Sequence, residues 1–425
     1  MIAKGQNKII RFKQEQDWAV IPSNEEVSEL RRVNASFDVV KNLLQSNEIN
    51  NSWQVKNFVS GTKNAKGAIL GELTPGAYSH LISHALASSY SWDTDELLIT
   101  LRVEESPTSG LYRITRQSGS WLTSNIRSGL VIRLDGTVLD SGTKNNNLFV
   151  CSVSALVLDV YVLNKSSLAL QDYITGNRCY IAGAVTYAQK TGHIDKSFSF
   201  EECYTDIGHY ELYSGNKIQS MQIDLQSSNE YPSITFDLIG CDLVRKDTSP
   251  YFTSSSRNTN RAVSNKNSAI FIDGKPIGLV TAFNLVANRD LGLNNAVGLS
   301  TAIAITENML KVNGSFTVYF TDASLKQRYY DEVACSMSVV LAESNYKGSP
   351  FVCVTLPKVI IKSRSKNDNA SSLFDTYEFT AVLGTSDSYI STVLSVQDSA
   401  AVVDDPFVPE ITDPYFANVE LLLHM

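Results

Sequence analysis

Strict alternation of apolar and polar residues dominates the chain. QSMQIDLQ (219–226), SITFDLIG (233–240), NGSFTVYF (313–320), FVCVTL (351–356) and TYEFTAVL (376–383) each place every second side chain on one face, with Asn, Gly, Ser and Asp between the runs. A period of two specifies half-buried strands, so the fold class is mainly β and mostly antiparallel, with few helices. One helix is predicted from Thr74-Pro75, with Thr74 as cap, Pro75 in the first turn, and Tyr78, Leu81, Ile82 and Ala85 on one face. A second is predicted from near Asp322, with Leu325, Tyr329 and Val333 spaced by four.

The strands come in a repeated order. VNASFDVVKN (33–42) resembles VTAFNLVAN (280–288), aligning Phe37 with Phe283, and KGAILGELTPGAYSHL (66–81) lies over NGSFTVYFTDASLKQR (313–328), aligning Gly67 with Gly314. GNKIQSMQIDL followed by SITFDLIG parallels LPKVIIKSRS followed by TYEFTAVLG, with Phe236 opposite Phe379. Each half therefore reads strand, long loop, strand, helix, then two more strands, which indicates an internal duplication. Between helix and closing strands the first half carries an extra segment, 92–192, whose short runs LLITLRV, GLVIRLDG, NLFVCSV, LVLDVYVL and RCYIAG predict a small barrel or sandwich inserted on the surface. Gly208 and Gly215 stand where the chain would re-enter the parent sheet.

Composition narrows the function classes. With 36 basic against 44 acidic residues the formal charge is −8, which offers no stripe for gripping nucleic acid. The N-terminus lacks a signal-peptide apolar core, and no run approaches the length of a membrane span, so synthesis and retention in a cytoplasm are expected. The six cysteines are scattered without a CxxC pair and read as core thiols; no metal or cofactor is expected.

The stretch FSFEECYTDIGHYELYSGNKIQSMQIDLQ with SITFDLIG resembles the tail tube proteins, or major tail proteins, of long-tailed bacteriophages, as does SAIFIDGKPIGLVTAFNLVAN in the second half, where IDGKPIG reads as a turn between strands. The insert, with GSWLTSNIRSGLVIRLDG, looks like the extra β module of such proteins. The resemblance implies two tandem tube domains, 1–91 with 193–248 and 268–398, an inserted β domain at 92–192, a linker at 249–267 and a C-terminal arm at 399–425. It further implies a non-enzymatic virion subunit made in the host cytoplasm. Three copies would form a pseudo-sixfold ring, and rings would stack into a conduit through which DNA passes without specific binding. Tape-measure, tail-tip or baseplate, and tail terminator proteins would be its other partners. An insert projecting outward from the first half favours a tail without a contractile sheath.

Within that frame the polar strand faces are assigned to a water-filled lumen. Asp38, Glu72, Asp224, Asp237 and Glu378 fall on them, where carboxylates would repel passing phosphates; an ordinary solvated sheet face is the other reading. The loops 43–64 and 289–310 carry Trp53, Phe58, Leu291, Leu293 and Ile303 as candidate ring-to-ring contacts, the alternative being hairpins folded back on their own domain. Phe407, Tyr415 and Phe416 anchor the proline-interrupted arm on a neighbour.

Other motifs carry less. His80 and His84 sit at i and i+4 without the Glu of HExxH, and His209 beside Asp206 lacks a nucleophile elbow, so they read as structural and as polar decoration of the hinge. Arg31-Arg32 and KVIIKSRSK (358–366) are basic without interleaved aromatics, and read as a solvated strand face or an intersubunit salt bridge. A β-rich binding or adhesion module, such as a receptor-binding or fibre-like protein, is the alternative function; the repeated half-ring order speaks against it.

Overall fold

The computed structural model describes residues 2–49, 54, 57–91, 97–227, 231–320, 324–368, 373–384 and 391–401. Among them, six strands and one helix recur in the same chain order and with the same neighbours in each half. The first set is Lys8–Gln14, Asn34–Gln45, Phe58–Glu72, helix α1 (Ser79–Ala85), Phe198–Tyr204, His209–Gln226 and Ser233–Gly240. The second is Ser268–Ile272, Val280–Asn288, Lys311–Tyr319, helix α2 (Ser324–Tyr330), Cys335–Ala342, Phe351–Asp368 and Leu373–Ala381. In both, the first strand pairs with the fourth, the fourth with the fifth, the fifth with the sixth, the sixth with the third and the third with the second, all antiparallel.

The fifth strand of each set is 18 residues long and belongs to two layers. Residues 209–216 pair with Phe198–Tyr204 in an outer sheet, and 217–224 pair with Ser233–Gly240 in an inner one. The crossing falls at Gly215, whose φ is +67°; a Cβ there would lie 2.9 Å from the Cys241 Cβ and 3.1 Å from the Trp18 Nε1. No side chain fits that turn, which is why a glycine interrupts an otherwise continuous strand. In the second half the crossing carries Pro357, between 351–356 in the outer ladder and 359–368 in the inner one, where a missing N–H costs no ladder bond.

Ladder partners refine the alignment of the two halves. Each inner segment has a register shift, between Ile218 and Ser220 and between Ile361 and Ser363. Superposing these bulges makes Leu238 equivalent to Phe379 and Gly67 to Gly314, since Leu238 faces Gly67 and Phe379 faces Gly314. Phe37 then matches Leu285, not Phe283, and Phe236 matches Tyr377, not Phe379. Both differences from the sequence alignment are two residues, a shift that leaves every side chain on its original face.

Helix α1 begins at Ser79, five residues after the predicted cap. Gly76 at φ +74° breaks the turn, and the Thr74 hydroxyl donates to the Glu72 carbonyl rather than capping. Tyr78, Leu81, Ile82 and Ala85 are buried on the predicted face. Helix α2 ends at Tyr330, so Val333 lies outside it and is exposed; Glu332, at φ +53°, terminates the turn, and Asp322 falls outside the described residues. No helix among the described residues is long and apolar enough to cross a membrane.

The insert closes a six-stranded barrel in the order Gln171–Ile181, Leu97–Glu105, Tyr112–Arg116, Val157–Val162, Leu148–Val153, Val131–Gly136 and back. Trp121, Leu101, Ile114, Leu134 and Val160 fill it. The strand Tyr112–Arg116, with two arginines in five residues, is absent from the sequence reading because its alternation is too short.

The barrel does not project from the half that carries it. It is seated on the second half: Phe149 stacks on Phe271 at 3.9 Å, and the Gln397 amide donates to the Val131 and Ala182 carbonyls at 2.7 Å while accepting from the Val131 N–H at 2.8 Å. The Asp273-Gly274 turn, with φ of +48° and +69°, presses against it so closely that a Cβ on Gly274 would meet the Cys151 carbonyl oxygen at 2.3 Å. The segment 249–267 is likewise bound in, through a parallel pairing of Ser255–Arg257 with Val27–Glu29 and the buried Phe252 and Val263.

Strand Ser395–Asp398 ties these parts together, pairing with Ala184–Tyr187 and with 352–355. Its last residue, Asp398, is fully buried; it accepts from the Gly76 N–H (2.8 Å) and the Ala400 N–H (2.9 Å). Burial pushes its pKa up to about 6, against the opposing pull of these donors. A folded-state pKa above the unfolded value stabilises the protein fully below pH 4, and that contribution is lost as pH rises through 6. The stability difference between wild type and Asp398→Asn, by urea denaturation, is therefore expected to move in the variant's favour by about 2–3 kcal/mol from pH 4 to pH 7. No such movement would mean that Asp398 does not titrate in this range.

Candidate functional site

The inner strands of the two halves form one sheet. Asn34–Gln45, Phe58–Glu72, Ser233–Gly240 and the inner part of His209–Gln226 are followed by Val280–Asn288, Lys311–Tyr319, Leu373–Ala381 and the inner part of Phe351–Asp368. The join is a full antiparallel ladder from Ser220 opposite Asn288 to Gln226 opposite Ala282. Asn34–Gln45 and residues 359–368 are the outermost strands, each with one unpaired edge among the described residues.

One face of this sheet is core, carrying Ile69, Phe236, Met221, Leu285, Phe316 and Phe379. The other face is open and polar, as the alternation dictates. All five predicted carboxylates lie on it. Glu72, Ser233, Asp224, Asn284, Ser315, Glu378 and Ser363 are successive ladder partners, forming a single row across the sheet. Asp237 lies two rows further along the same face, between Ala68 and Ser220, and Asp38 faces Lys66.

These carboxylates are held by neutral neighbours. Asp224 accepts from Gln222 (2.8 Å) and from Asn284, Asp237 from Ser220 (2.7 Å), and Glu378 from Ser363 (2.7 Å). Lys66 and Lys311, which the sequence reading did not single out, share the face with Lys362 of the basic run 358–366; Lys362 donates to Asn313 at 3.3 Å. Between the charges stand Ser, Thr, Asn and Gln, with Ala68, Leu70 and Val286 among them. At one end of the face Tyr319 and Phe374 form a ring pair, 4.7 Å between centroids; the carboxylate row itself is wettable and carries no clustered cations of the kind that bind a phosphate backbone.

The candidate contact residues separate. Phe58 is exposed at the tip of a ladder that runs to Gln45 opposite Phe58, so 43–45 and 58–64 are strand rather than loop, with Leu43, Leu44 and Val59 also exposed. In 289–310, the short hairpin Gly292–Asn294 with Ala304–Thr306 folds back on the first half: Leu291 and Ile305 are buried with Ile239, Leu293 packs there with Trp18, and the Ser300 carbonyl accepts from the Lys63 N–H. Leu291 is thereby committed to its own chain, whereas Ile303 is exposed. Trp53, Phe407, Tyr415 and Phe416 lie outside the described residues.

The loop's root explains the buried histidine. Arg289 donates to the His84 carbonyl at 3.0 Å and pairs with Glu307, beside Lys217, which pairs with Asp195 at 2.5 Å. Burial holds the His84 pKa well below its ordinary value, helped by the nearby Arg289, Lys217 and Lys196, so the ring is neutral and packs edge-on against Phe198. His209 pairs with Glu211 at 3.1 Å, and Asp206 instead accepts from the Lys4 N–H. Among the described residues no group of three or more His, Cys, Asp or Glu side chains could hold a metal ion.

The inner sheet is thus built from two four-strand units, polar on one face and, among the described residues, open at both edges. The chain matches the family described as phage tail tube protein over residues 5–396. It belongs to that family. It is a structural tail tube subunit, a component of the virion tail. No curated protein matches the chain.

In this tail tube chain one core cluster is apolar in the first half and ionic in the second. Where the first half has Met221, Ile234 and Phe236, the second has Arg364, Asp375 and Tyr377, with Arg364 forked onto Asp375 at 2.8 and 3.0 Å and the Tyr377 hydroxyl donating to Asp375 at 3.0 Å. Asp375 is 1% exposed. Asp375→Ala is expected to cost about 3–5 kcal/mol by stranding the guanidinium, whereas Arg364→Met/Asp375→Ile/Tyr377→Phe, which copies the first half, recovers most of that loss. Urea midpoints of the two variants check this, and a triple variant as unstable as the single one would refute the equivalence of the halves.

Proposed function

We propose that three copies close edge to edge into a ring, that rings stack into the tail tube, and that the open sheet face lines the channel through which DNA leaves the particle. The observation that carries this reading is the in-chain ladder between 220–226 and 282–288, which already joins the last inner strand of one unit to the first of the next. Repeating that join through the two free edges closes the sheet and removes both.

Three chains give roughly 24 inner strands. At about 4.8 Å between strands and a tilt near 40°, such a barrel leaves about 35–40 Å clear of side chains, against about 20 Å for two chains, too narrow for a hydrated duplex. The barrel 97–181 packs on the outer layer of the second half, away from the open face, which favours a tail without a close-fitting contractile sheath. The exposed ladder tip at Phe58, Leu43 and Leu44, together with Ile303, supplies apolar surface for the next ring. Tape-measure, tail-tip and terminator proteins are the partners that such a tube needs to fix its length and ends.

Negative-stain electron microscopy of concentrated protein, with end-on views classed by symmetry, is expected to give threefold rings with a pseudo-sixfold lumen, or stacked tubes. Solid fibres without a channel would reject the conduit. In assembled tubes, Glu72→Lys/Asp224→Lys/Glu378→Lys is expected to convert a surface that passes duplex DNA into one that retains it at low salt and releases it as salt rises. Equal retention by wild type and variant in a gel-shift series would remove the acidic row from the mechanism.

A further inference from the structure

The two free edges carry a readable address for each other. The equivalence of the halves is fixed by the bulges after Ile218 and Ile361, and three independent features agree with it: Gly67 falls on Gly314, Ser220 on Ser363, and Asp237 on Glu378, with the same hydroxyl-to-carboxylate bond at 2.7 Å in each half. In the in-chain join, Ser220 stands opposite Asn288, Gln222 opposite Val286 and Asp224 opposite Asn284. Val286 corresponds to Asp38 and Asn288 to Val40, through the ladders that set Leu285 against Gly314 and Phe37 against Gly67.

Resting on the ring reading above, we propose that residues 363–368 of one copy pair antiparallel with residues 35–40 of the next, with Ser363 opposite Val40 and Ser365 opposite Asp38. The occupant of each edge is a second copy of this chain because the chain has already solved that pairing once within itself. Both edges are suited to a specific rather than a promiscuous partner. The 351–368 strand carries Lys358, Lys362 and Lys366, exposed cations that discourage random edge pairing, and the bulge at Lys362 limits how far a foreign strand can extend the ladder. On the open face the pairing brings the uncharged Ser365 to Asp38, so no two carboxylates are opposed across the seam. On the core face Arg364 comes opposite Val39, its charge already neutralised by Asp375.

Register is the testable content, because a slip of two residues keeps every face correct and changes only the partners. Directly opposed Cβ atoms in an antiparallel pair lie about 4.5–5.5 Å apart and diagonal ones about 7–8 Å, so a disulfide distinguishes them. Full-length Ser365→Cys/Asp38→Cys protein would be assembled, inspected by electron microscopy and mildly oxidised beside three controls. Gln222→Cys/Val286→Cys is the same pair inside one chain and calibrates the geometry; Ser365→Cys/Val40→Cys and Ser365→Cys/Ser36→Cys are the slipped registers. The parent chain sets the background, its cysteines being buried except the half-buried Cys241.

The expected result is thiol-reversible dimers and trimers on a denaturing gel for the 365–38 pair, forming as readily as the internal bridge, and at least about tenfold less for the slipped pairs. Should that variant fail to fold, Ser363→Cys/Val40→Cys tests the same register. Rings that form but bridge through a slipped pair, or bridge nowhere while the internal pair does, overturn the register and leave the ring intact. Failure of the parent protein to form rings or tubes under any condition overturns the ring, and the seam with it.

Discussion

The ladder between residues 220–226 and 282–288 is the contact on which the rest of the molecule depends. Without it the chain would be two small sandwiches, each with two exposed strand edges. With it, eight inner strands share one continuous face, and half of the edges are removed inside the polypeptide. The ladder thus joins the two four-strand units within one polypeptide, so that this contact is fixed by covalent connection and does not depend on concentration.

The ladder is possible because the fifth strand of each half serves two layers. A strand of 18 residues that stayed in one sheet would present its alternate residues to one core only. Bent at Gly215 or at Pro357, it turns its inner segment into the inner sheet while the outer segment covers the core from behind. Two residues with opposite backbone character solve the same problem: glycine supplies a positive φ that no other side chain tolerates in so crowded a place, and proline occupies a crossing where no donor is needed. The buried Glu15, which accepts from Ser197, Ser199, Ala19 and Gly215, pins the glycine crossing from the N-terminal side.

The inserted barrel acts as a strut between the halves. Its chain ends lie in the first half, but its packing surface, centred on Phe149 and Phe271, and the three bonds of Gln397 belong to the second. Together with strand Ser395–Asp398 and the Gly76 bond to Asp398, it braces two units whose inner strands share one ladder among the described residues.

The alternation in QSMQIDLQ, SITFDLIG and NGSFTVYF determined by itself which side chains face the core and which face water, because a strand's period of two leaves no other choice, and the five carboxylates of the open face were legible for that reason; the apolar side of α1 was legible from its helical spacing. Four of the six strands of each half were legible in order as repeated blocks; the first and the fourth, Lys8–Gln14 and Phe198–Tyr204 with their counterparts Ser268–Ile272 and Cys335–Ala342, were not part of that repeat. What the tertiary structure decided is whatever depends on partners distant in the chain: the register that matches Phe236 with Tyr377 rather than Phe379, the inward turn of Leu291 onto Ile239, the ion pair of Arg364 with Asp375 where the first half is apolar, and the seating of the barrel on the half that does not carry it. A two-residue shift or a cross-half contact changes no local pattern, so only long-range packing can select it.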